Sequence, residues 1–347
     1  MNWEQLDWSA LDRLRAGFLS GSAADGPYWQ SASDLAAYDL TYAERIGWKW
    51  DALLRELTLR QWKPPAGTTL IDWGCGSGIA GRRVLAAFGP AHFKDLHVWD
   101  HSEHARTFAA TKARETFPSL PVSTLSSDPS SQLPAHSSQL APYTLVLSHV
   151  FNELSADQRT ALLSLVSGAQ AVLWIEPGTH ADSRTLAAVR DQFRNGPHHI
   201  VAPCTHRETC PLFQAANERD WCHFFAPAPP GIQNDSNWVR WSHRAGLDLR
   251  SQAYSCLVLE LPAPSSQLPA HSARVLGRPE VFKPYARFLA CDATGLHWLE
   301  LSKRTDPALI KRLDKNPPVP LYALTHDGRQ ATSMTPLVSE QLEAPSS

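Results

Sequence analysis

The first part of the chain carries its apolar residues at helical spacing. Before residue 67 they recur every three or four positions, which predicts helices. The residues that show this spacing most clearly are Leu35, Tyr38, Tyr42, Ile46, Leu53, Leu54 and Leu57. We therefore expect an N-terminal helical region over residues 1–66.

Short β-like runs alternate with helical stretches in the next part of the chain. The runs lie at 69–72, 96–100, 143–148 and 171–176, and helices are predicted at 79–89, 102–116, 156–168 and 181–194. This alternation is typical of a parallel sheet with crossover helices. The sequence therefore predicts an α/β fold with its core over residues 67–200.

The pattern becomes irregular after residue 200. Pro, Cys, His and Trp dominate residues 201–230, which we interpret as a segment held together by something other than an apolar core. Residues 231–325 are expected to complete the sheet and to add a β-hairpin over 286–302, with its turn at Asp292-Ala293-Thr294-Gly295. The last stretch, 326–347, is interpreted as a flexible tail.

An octapeptide, Ser-Ser-Gln-Leu-Pro-Ala-His-Ser, occurs at 130–137 and again at 265–272. Two copies are too few for a solenoid, which needs at least three stacked units. We interpret both copies as loop insertions outside the chemistry.

Composition and charge limit the classes of function. With 43% hydrophobic and 19% charged residues in 347, the chain is typical of a globular protein. Its net charge of -2 gives no whole-chain attraction to nucleic acid or to an acidic membrane surface. No stretch approaches the ~20 apolar residues of a membrane span. Early acidic residues at Glu4 and Asp7 are unlike a targeting segment. We expect a cytoplasmic protein with no membrane partner.

A glycine-rich loop follows the first β-run. The stretch Asp72-Trp73-Gly74-Cys75-Gly76-Ser77-Gly78 places three alternate glycines between an acidic residue and a helix. Glycines allow a ligand to approach the backbone, and a helix N-terminus offers free N–H donors. An ordinary strand-to-helix turn would explain the glycines alone. However, Asp100 ends the second run, where a carboxylate can accept hydrogen bonds from ribose hydroxyls.

This loop and Asp100 together resemble the signature of class I S-adenosylmethionine (SAM)-dependent methyltransferases, which have a Rossmann-like fold. The resemblance implies a cradle for the methionine and ribose parts of SAM at Asp72, Gly74, Gly76 and Gly78, with Asp100 on the ribose. Asp128 is a weaker candidate for contacting the adenine of SAM and is better explained as an ordinary loop aspartate. Cys75 reads as a small residue of the loop.

The methyl acceptor leaves little trace in the sequence. Enzymes that methylate exocyclic base nitrogens carry Asn/Asp-Pro-Pro-aromatic after the fourth strand, whereas this chain has Ser-His-Val-Phe-Asn-Glu-Leu at 148–154. Asn316-Pro317-Pro318 is interpreted as a chance match. Pro203-Cys204 is similar to the nucleophile motif of cytosine-C5 methyltransferases, but neighbouring cysteines indicate another use. The catalytic residues therefore remain unknown.

Three cysteines in the irregular segment are candidate metal ligands. Cys204, Cys210 and Cys222 lie in a loop-rich stretch with His206 and His223 nearby. Converging thiolates suit a soft metal centre. Short C-x2-C knuckles typical of zinc are absent, so a cubane iron–sulfur cluster fits at least as well, with zinc as the alternative. Three unrelated packed thiols would be the simplest explanation.

Such a centre needs a fourth ligand, and two further cysteines compete for it. Cys256 alternates with apolar residues in a strand, which indicates a packed thiol. Cys291 stands beside the predicted hairpin turn and is our choice. His206 and His223 are outside candidates.

These motifs together resemble the methyltransferase-like assembly proteins of the small ribosomal subunit, of the mitochondrial Rsm22 type, and their bacterial relatives. The motifs are the glycine loop, Glu176-Pro177-Gly178-Thr179, Ala202-Pro203-Cys204 with Cys210-Pro211, Trp221-Cys222-His223-Phe224, and Cys291. The resemblance runs from about residue 27 to about residue 304. It implies a class I methyltransferase fold, a 4Fe-4S cluster on Cys204, Cys210, Cys222 and Cys291, and binding to small-subunit ribosomal RNA. A missing presequence fits a bacterial member, and the octapeptides are a departure from the family.

A local basic excess is a candidate RNA surface. Residues 271–320 contain nine Lys and Arg and five acidic residues. The nine are Arg274, Arg278, Lys283, Arg287, Lys303, Arg304, Lys311, Arg312 and Lys315. Tyr285, Phe288 and Trp298 could stack on unpaired bases. The alternative is a solvated face over core aromatics.

The leading hypothesis is a SAM-binding methyltransferase that acts on small-subunit ribosomal RNA, carries a 4Fe-4S cluster and is monomeric away from the ribosome. One alternative is a non-enzymatic ribosome assembly factor with SAM as a structural ligand. The other is a zinc-containing small-molecule methyltransferase.

Overall fold

The chain folds into two compact units. The computed structural model describes residues 2–20, 29–131, 141–250, 252–261, 268–269, 271–315 and 321–337. The first unit comprises Met1–Leu54, Lys63–Glu176 and Ala228–Gln252, and the second comprises Arg55–Trp62, Pro177–Pro227 and Ala253–Ser347. The chain passes between the two units near residues 54, 62, 176, 227 and 252, whereas the sequence predicts boundaries at residues 66 and 200.

The helices and strands follow one another in an order close to the predicted one. The α-helices are α1 (Trp8–Ser20), α2 (Ala32–Tyr38), α3 (Glu44–Leu59), α4 (Ile79–Phe88), α5 (Glu103–Thr116), α6 (Ala156–Gly168), α7 (His180–Phe193), α8 (Ser236–Ala245) and α9 (Pro307–Lys315). The strands are β1 (Thr69–Trp73), β2 (Asp95–Trp99), β3 (Val122–Thr124), β4 (Tyr143–Ser148), β5 (Ala171–Pro177), β6 (His199–Ala202), β7 (Phe224–Ala226), β8 (Gln252–Glu260), β9 (Ser272–Val281), β10 (Tyr285–Asp292), β11 (Gly295–Ser302), β12 (Leu321–Asp327) and β13 (Gln330–Pro336).

A parallel sheet forms the centre of the first unit. Its strands lie in the order β3-β2-β1-β4-β5. All five residues of β1 are buried, and so are those of β5 up to Glu176, as expected for strands covered on both faces. β1 pairs in parallel with β2 on one side and β4 on the other, so the carboxyl ends of these three strands meet at one edge. The predicted α/β fold is confirmed.

The helices of this unit begin at well-defined caps. The Ser102 side chain accepts a hydrogen bond from the Ala105 N–H at the start of α5, and Ser155 and Gln158 form a capping box on α6.

Before the sheet, a π-helical turn over Asp39–Ala43 joins α2 to α3. The expected helical character of the N-terminal region is thus present in the structure.

The second unit contains a closed barrel. β9 to β13 close in the order β10-β11-β13-β12-β9, and α9 lies between β11 and β12 in the chain. The barrel interior is filled by alternate residues of the strands and by one face of α9, and includes Val275, Phe288, Leu299, Leu301, Leu309, Tyr322 and Leu324. Elsewhere in this unit, β8 pairs antiparallel with β6 and also pairs with β7.

The barrel corrects two expectations. The hairpin predicted over 286–302 is present, with its turn at Asp292–Gly295, but it forms only two strands of a five-stranded barrel. Residues 326–336, expected in a flexible tail, form the end of β12, the turn at 328–329 and β13. β13 shows no apolar alternation in the sequence, because its two buried residues, Ala331 and Met334, lie three positions apart, with a register shift in the pairing to β12 between Thr325 and His326.

Some predictions fall outside the described residues. These include most of the first octapeptide, half of the second, the Asn316-Pro317-Pro318 stretch and residues 338–347. None of the described helices is long and apolar enough to cross a membrane.

Candidate functional site

The glycine loop turns sharply at the edge of the sheet between β1 and α4. Gly74, Gly76 and Gly78 have φ values of 66°, 50° and 78°. This left-handed region is costly for residues with a Cβ atom, which explains why glycine stands at each turn.

The space around each glycine differs. A Cβ on Gly74 would lie 2.6 Å from Val150 Cγ1, and one on Gly78 would lie 2.8 Å from Ala109 Cβ. No described atom lies within 4 Å of a Cβ built on Gly76. Gly74 and Gly78 are therefore required by packing, whereas Gly76 leaves its backbone open to a ligand.

Two carboxylates hold this loop in place. Asp100 Oδ2 accepts a hydrogen bond from the Gly76 N–H at 3.0 Å, and its Oδ1 accepts one from the Ser102 N–H at 2.9 Å. Asp72 Oδ2 accepts the Gly81 N–H at 3.1 Å, in the first turn of α4. Both carboxylates are nearly inaccessible to solvent. The structure thus brings together the five residues predicted for the SAM cradle.

The cradle concentrates acidic groups. Burial raises the pKa of Asp72 to about 7. The hydrogen bond from the Gly81 N–H and the charge of Arg82 lower this pKa only in part, and the nearby Asp100 carboxylate raises it further. Burial, and then Asp100, raise the pKa of Glu153 to about 7. Asp72 Oδ1 is buried and has no hydrogen-bond partner in the part of the chain described. A positively charged ligand would stabilise the ionised form of these groups.

Two other residues of the loop region have structural contacts. Asp128 Oδ1 accepts hydrogen bonds from Trp73 Nε1 at 2.9 Å and from the Ser130 N–H at 2.8 Å. This agrees with its interpretation as a loop aspartate. Cys75 is buried, and burial raises the pKa of its thiol well above the ordinary value, so it is a poor nucleophile.

The end of β4 carries a hydrogen-bonded chain that the sequence did not reveal. Lys49 Nζ lies 2.9 Å from His149 Nε2, and His149 Nδ1 lies 3.3 Å from Ser148 Oγ. Because an ammonium group can only donate, Nε2 accepts and the proton resides on Nδ1. Trp50 Nε1 also donates to Ser148 Oγ, at 3.0 Å.

His149 itself is held in an unusual state. Its φ of 57° is uncommon for a residue other than glycine, and such strain concentrates at functional sites. Burial, and then Lys49, lower its pKa well below the ordinary value, so the imidazole is neutral at physiological pH. β4 lies beside β1, with Leu147 opposite Trp73, so the hydrogen-bonded side chains at the end of β4 lie at the same sheet edge as the glycine loop.

In the second unit, the four predicted metal ligands lie close together. Burial raises the pKa of the Cys210 thiol to about 11 and raises those of Cys222 and Cys291 as well, and in each case proximity to Cys204 is the next cause. Cys210 packs with Cys222 in one small cluster. Cys256 also lies near Cys204 and Cys222, but it is 2% exposed within β8.

Helix α7 holds the cysteine segment from one side. Arg190 Nη2 donates to the His206 carbonyl at 2.8 Å, and the same guanidinium lies close to the Cys204 side chain. Asp191 Oδ1 accepts the Cys210 N–H at 3.1 Å. A buried positive charge beside Cys204 would compensate a thiolate ligand.

A buried ion-pair triad fixes the beginning of the segment. Arg60 donates to the carbonyl oxygens of Val201 and Pro203, at 2.6 and 3.2 Å, immediately before Cys204. Glu56 binds both Arg60 and Arg274, and all three side chains are almost fully buried. Although burial alone would raise it, these arginines hold the pKa of Glu56 below its ordinary value.

The spacing of the sulfur atoms bears on the type of centre. A tetrahedral zinc site with Zn–S bonds of ~2.3 Å places its sulfur atoms ~3.8 Å apart. Among the described residues, the only group of three or more candidate ligands within 4.8 Å of one another is Asp292, His297 and His326. The four cysteines are therefore more widely spaced than a single zinc ion needs. A cubane holds its thiolates on separate iron atoms and suits wider spacing.

The histidines near this centre have different surroundings. His206 Nε2 lies 3.5 Å from Cys291 Sγ, so this histidine stands at the edge of the cysteine group. His223 stacks on Trp221, with ring centroids 4.4 Å apart, and its Nδ1 lies 3.1 Å from the Trp221 carbonyl.

Two residues of the predicted RNA surface, Arg274 and Phe288, are buried. Arg274 is 2% exposed in the ion-pair triad, and Phe288 is fully buried in the barrel core, so neither can contact RNA. The alternation of β10 places Phe288 inside and its neighbours outside. Trp298, in contrast, is 44% exposed.

Comparison with solved structures shows weak similarities to methyltransferases. Magnesium protoporphyrin IX methyltransferase of Synechocystis, with SAM bound, has 12% identity and a TM-score of 0.37, covering 74% of this chain and 98% of its own. The 16S rRNA methylase RmtB has 12% identity and a TM-score of 0.36, covering 74% and 76%. A SAM-dependent methyltransferase of Aquifex aeolicus has 15% identity and a TM-score of 0.32, covering 43% and 81%.

Sequence comparison is more specific. No curated protein matches the chain significantly. The family model described as mitochondrial small ribosomal subunit Rsm22 matches residues 36–293, which is most of the chain and includes the glycine loop, Asp100 and the four clustered cysteines. The chain therefore belongs to the mitochondrial small ribosomal subunit Rsm22 family.

Proposed function

We propose that this protein is a SAM-dependent methyltransferase of the small ribosomal subunit that acts on its ribosomal RNA. The observation that carries the proposal is the glycine loop, whose Gly76 backbone is open and held by Asp100. The carboxyl edge of a parallel sheet is where α/β folds bind nucleotide-like ligands. The RNA partner is proposed from membership of the Rsm22 family.

The residues of the cradle suit SAM in chemistry as well as in shape. Each oxygen of Asp100 accepts one backbone hydrogen bond and retains a lone pair for a ribose hydroxyl. Asp72 and Glu153 supply negative charge for a ligand that carries a sulfonium and an ammonium group. When bound, SAM supplies an electrophilic methyl group.

The methyl acceptor is proposed to approach the end of β4. Ser148 Oγ accepts hydrogen bonds from Trp50 and His149, so its own proton remains available to donate to an acceptor base. The neutral His149, held by Lys49, orients this hydroxyl. Methyl transfer depends mainly on alignment, and this hydrogen-bonded chain supplies a rigid positioning element.

We further propose that Cys204, Cys210, Cys222 and Cys291 hold a 4Fe-4S cluster. The wide spacing of the thiols and the guanidinium of Arg190 beside Cys204 support it. Such a cluster would link the segment 204–222 to β10, and its role is structural or redox-sensing. Zinc on the same ligands would require the sulfur atoms to move closer together.

The cradle is tested by SAM binding to Asp100→Asn. We expect the affinity measured by isothermal titration calorimetry to fall about ten- to hundredfold, because hydrogen bonds to a charged group are each worth about 1.5–3 kcal/mol. Asp95→Asn is a matched control, since Asp95 begins the same strand at the opposite edge. Equal affinities for SAM in the wild type and in Asp100→Asn would contradict this site.

A further inference from the structure

The barrel of the second unit has the connectivity of a nucleic-acid-binding architecture. Numbered in chain order, its strands β9 to β13 close as 1-2-3-5-4-1. Strands β11 and β13 pair in parallel, and α9 lies between the third and fourth strands. This is the arrangement of the OB fold, whose second and third strands form the face that binds oligonucleotides. A fold alone does not establish function, which depends on the side chains of that face.

The register of β10 and β11 defines the outer face. Arg287 lies opposite Glu300, and Leu289 lies opposite Trp298. The alternate residues Ala286, Phe288 and Leu299 point into the barrel core. Tyr285, Arg287 and Trp298 therefore lie on the outer face of the second and third strands.

Aromatic side chains on this face are exposed. Trp298 is 44% exposed, and Phe282, in the loop between β9 and β10, is 42% exposed. The ring of Phe282 lies 4.9 Å from that of Tyr285. The Arg287 guanidinium lies 5.4 Å from the Trp298 ring centroid and 6.0 Å from that of Phe282. Arg287 thus bridges the aromatic rings into one continuous surface.

Basic residues surround this surface. Lys283 lies beside Phe282, Lys303 and Arg304 follow β11, and Arg329 occupies the turn between β12 and β13, and all four are exposed. Two acidic residues on the face are paired, Glu280 with Arg287 and Glu300 with Arg329, and the Asp220 side chain lies beside Trp298. Exposed aromatic side chains surrounded by cationic ones suit a nucleic-acid strand, because the cations attract its phosphates and its bases can stack on the aromatic rings.

The opposite end of the same face is covered. Leu296, opposite Cys291 in the register, packs against Cys210 and Leu212 of the cysteine segment. The open surface therefore extends from Trp298 toward Tyr285 and Phe282.

We propose that this outer face binds single-stranded RNA by stacking unpaired bases on Trp298 and Phe282, with Arg287 between them. This inference rests on the proposed function and specifies which part of the RNA is recognised. A duplex keeps its bases stacked on one another and offers them no access to the rings. The face is thus selective for single strands and tolerant of sequence.

The test measures fluorescence anisotropy of a labelled RNA of about 12 nucleotides without secondary structure, alone or annealed to its complement. In the full chain, Trp298→Ala and Phe282→Ala are each expected to weaken single-strand binding about tenfold or more. Phe213→Ala is the matched control, because Phe213 is an aromatic residue exposed to a similar degree, 43%, outside the barrel. It should bind as the wild type does.

Two results would overturn this inference. One is unchanged single-strand affinity in both barrel variants, and the other is a wild-type protein that binds the duplex as well as the single strand. SAM affinity is measured on the same proteins, so that a failure of this inference is distinguished from a failure of the proposed methyltransferase function. Trp298→Ala should bind SAM like the wild type, and loss of SAM binding in the wild type itself would instead contradict the proposed function.

Discussion

Glu56→Gln is expected to destabilise the second unit by about 3–5 kcal/mol, the cost of breaking a buried ion pair by removing one partner. The substitution leaves Arg60 and Arg274 as two buried guanidinium groups without a compensating carboxylate. Arg60 also holds the carbonyl groups before Cys204, so the loss should spread to the cysteine segment. Urea denaturation measures the change.

Glu280→Gln is the matched control for this substitution. It removes the same charge from the same unit, but the Glu280–Arg287 pair is solvent-exposed, with side chains 47% and 39% accessible. Exposed pairs contribute about 0–1 kcal/mol. Similar unfolding free energies for the two variants would show that the Glu56 triad does not stabilise the second unit.

Cys204→Ser is expected to remove iron from the protein and to lower its stability at the same time. Metal binding free energy becomes folding free energy when the site forms only in the folded chain. Cys204 lies close to each of the three other proposed ligands, so its loss should affect the whole centre. Iron and acid-labile sulfide, determined on protein purified without oxygen, provide the measurement.

Two further cysteine variants sharpen this test. Cys291→Ser should lose iron as Cys204→Ser does, whereas Cys256→Ser should retain it, because Cys256 is a packed thiol of β8. The reverse pattern would make Cys256 the fourth ligand. Zinc without sulfide in the wild type would rule out the cluster, and a variant that loses iron at full stability would rule out its structural role.

The sheet was predictable because its signals are local. Strands β1, β4 and β5 are short apolar runs flanked by turns, and each is buried along almost its whole length. The last barrel strand is not predictable in this way, because its outward residues are polar and its two buried residues, Ala331 and Met334, lie three positions apart across a register shift. In β12, Tyr322 and Leu324 fill the barrel core from alternate positions.

The functional sites likewise differ in whether their residues are neighbours in the sequence. The glycine loop lies on consecutive residues and is closed by one partner, Asp100, at a strand end, so sequence alone could indicate it. The Glu56–Arg274 pair joins residues 218 positions apart, and Lys49 meets His149 across 100 positions. No local pattern encodes such pairings, since they arise only when the chain packs. The strained backbone of His149 likewise leaves no mark on the sequence.

The most direct test of the central claim is transfer of a radiolabelled methyl group from SAM to small-subunit ribosomal RNA. Purified small subunits lacking the modification serve as the acceptor, and the wild type and Asp100→Asn are compared. We expect labelled RNA with the wild type and a large loss of label with Asp100→Asn. A wild-type protein that binds both SAM and the RNA but transfers no methyl group would contradict it and would indicate a non-enzymatic assembly factor.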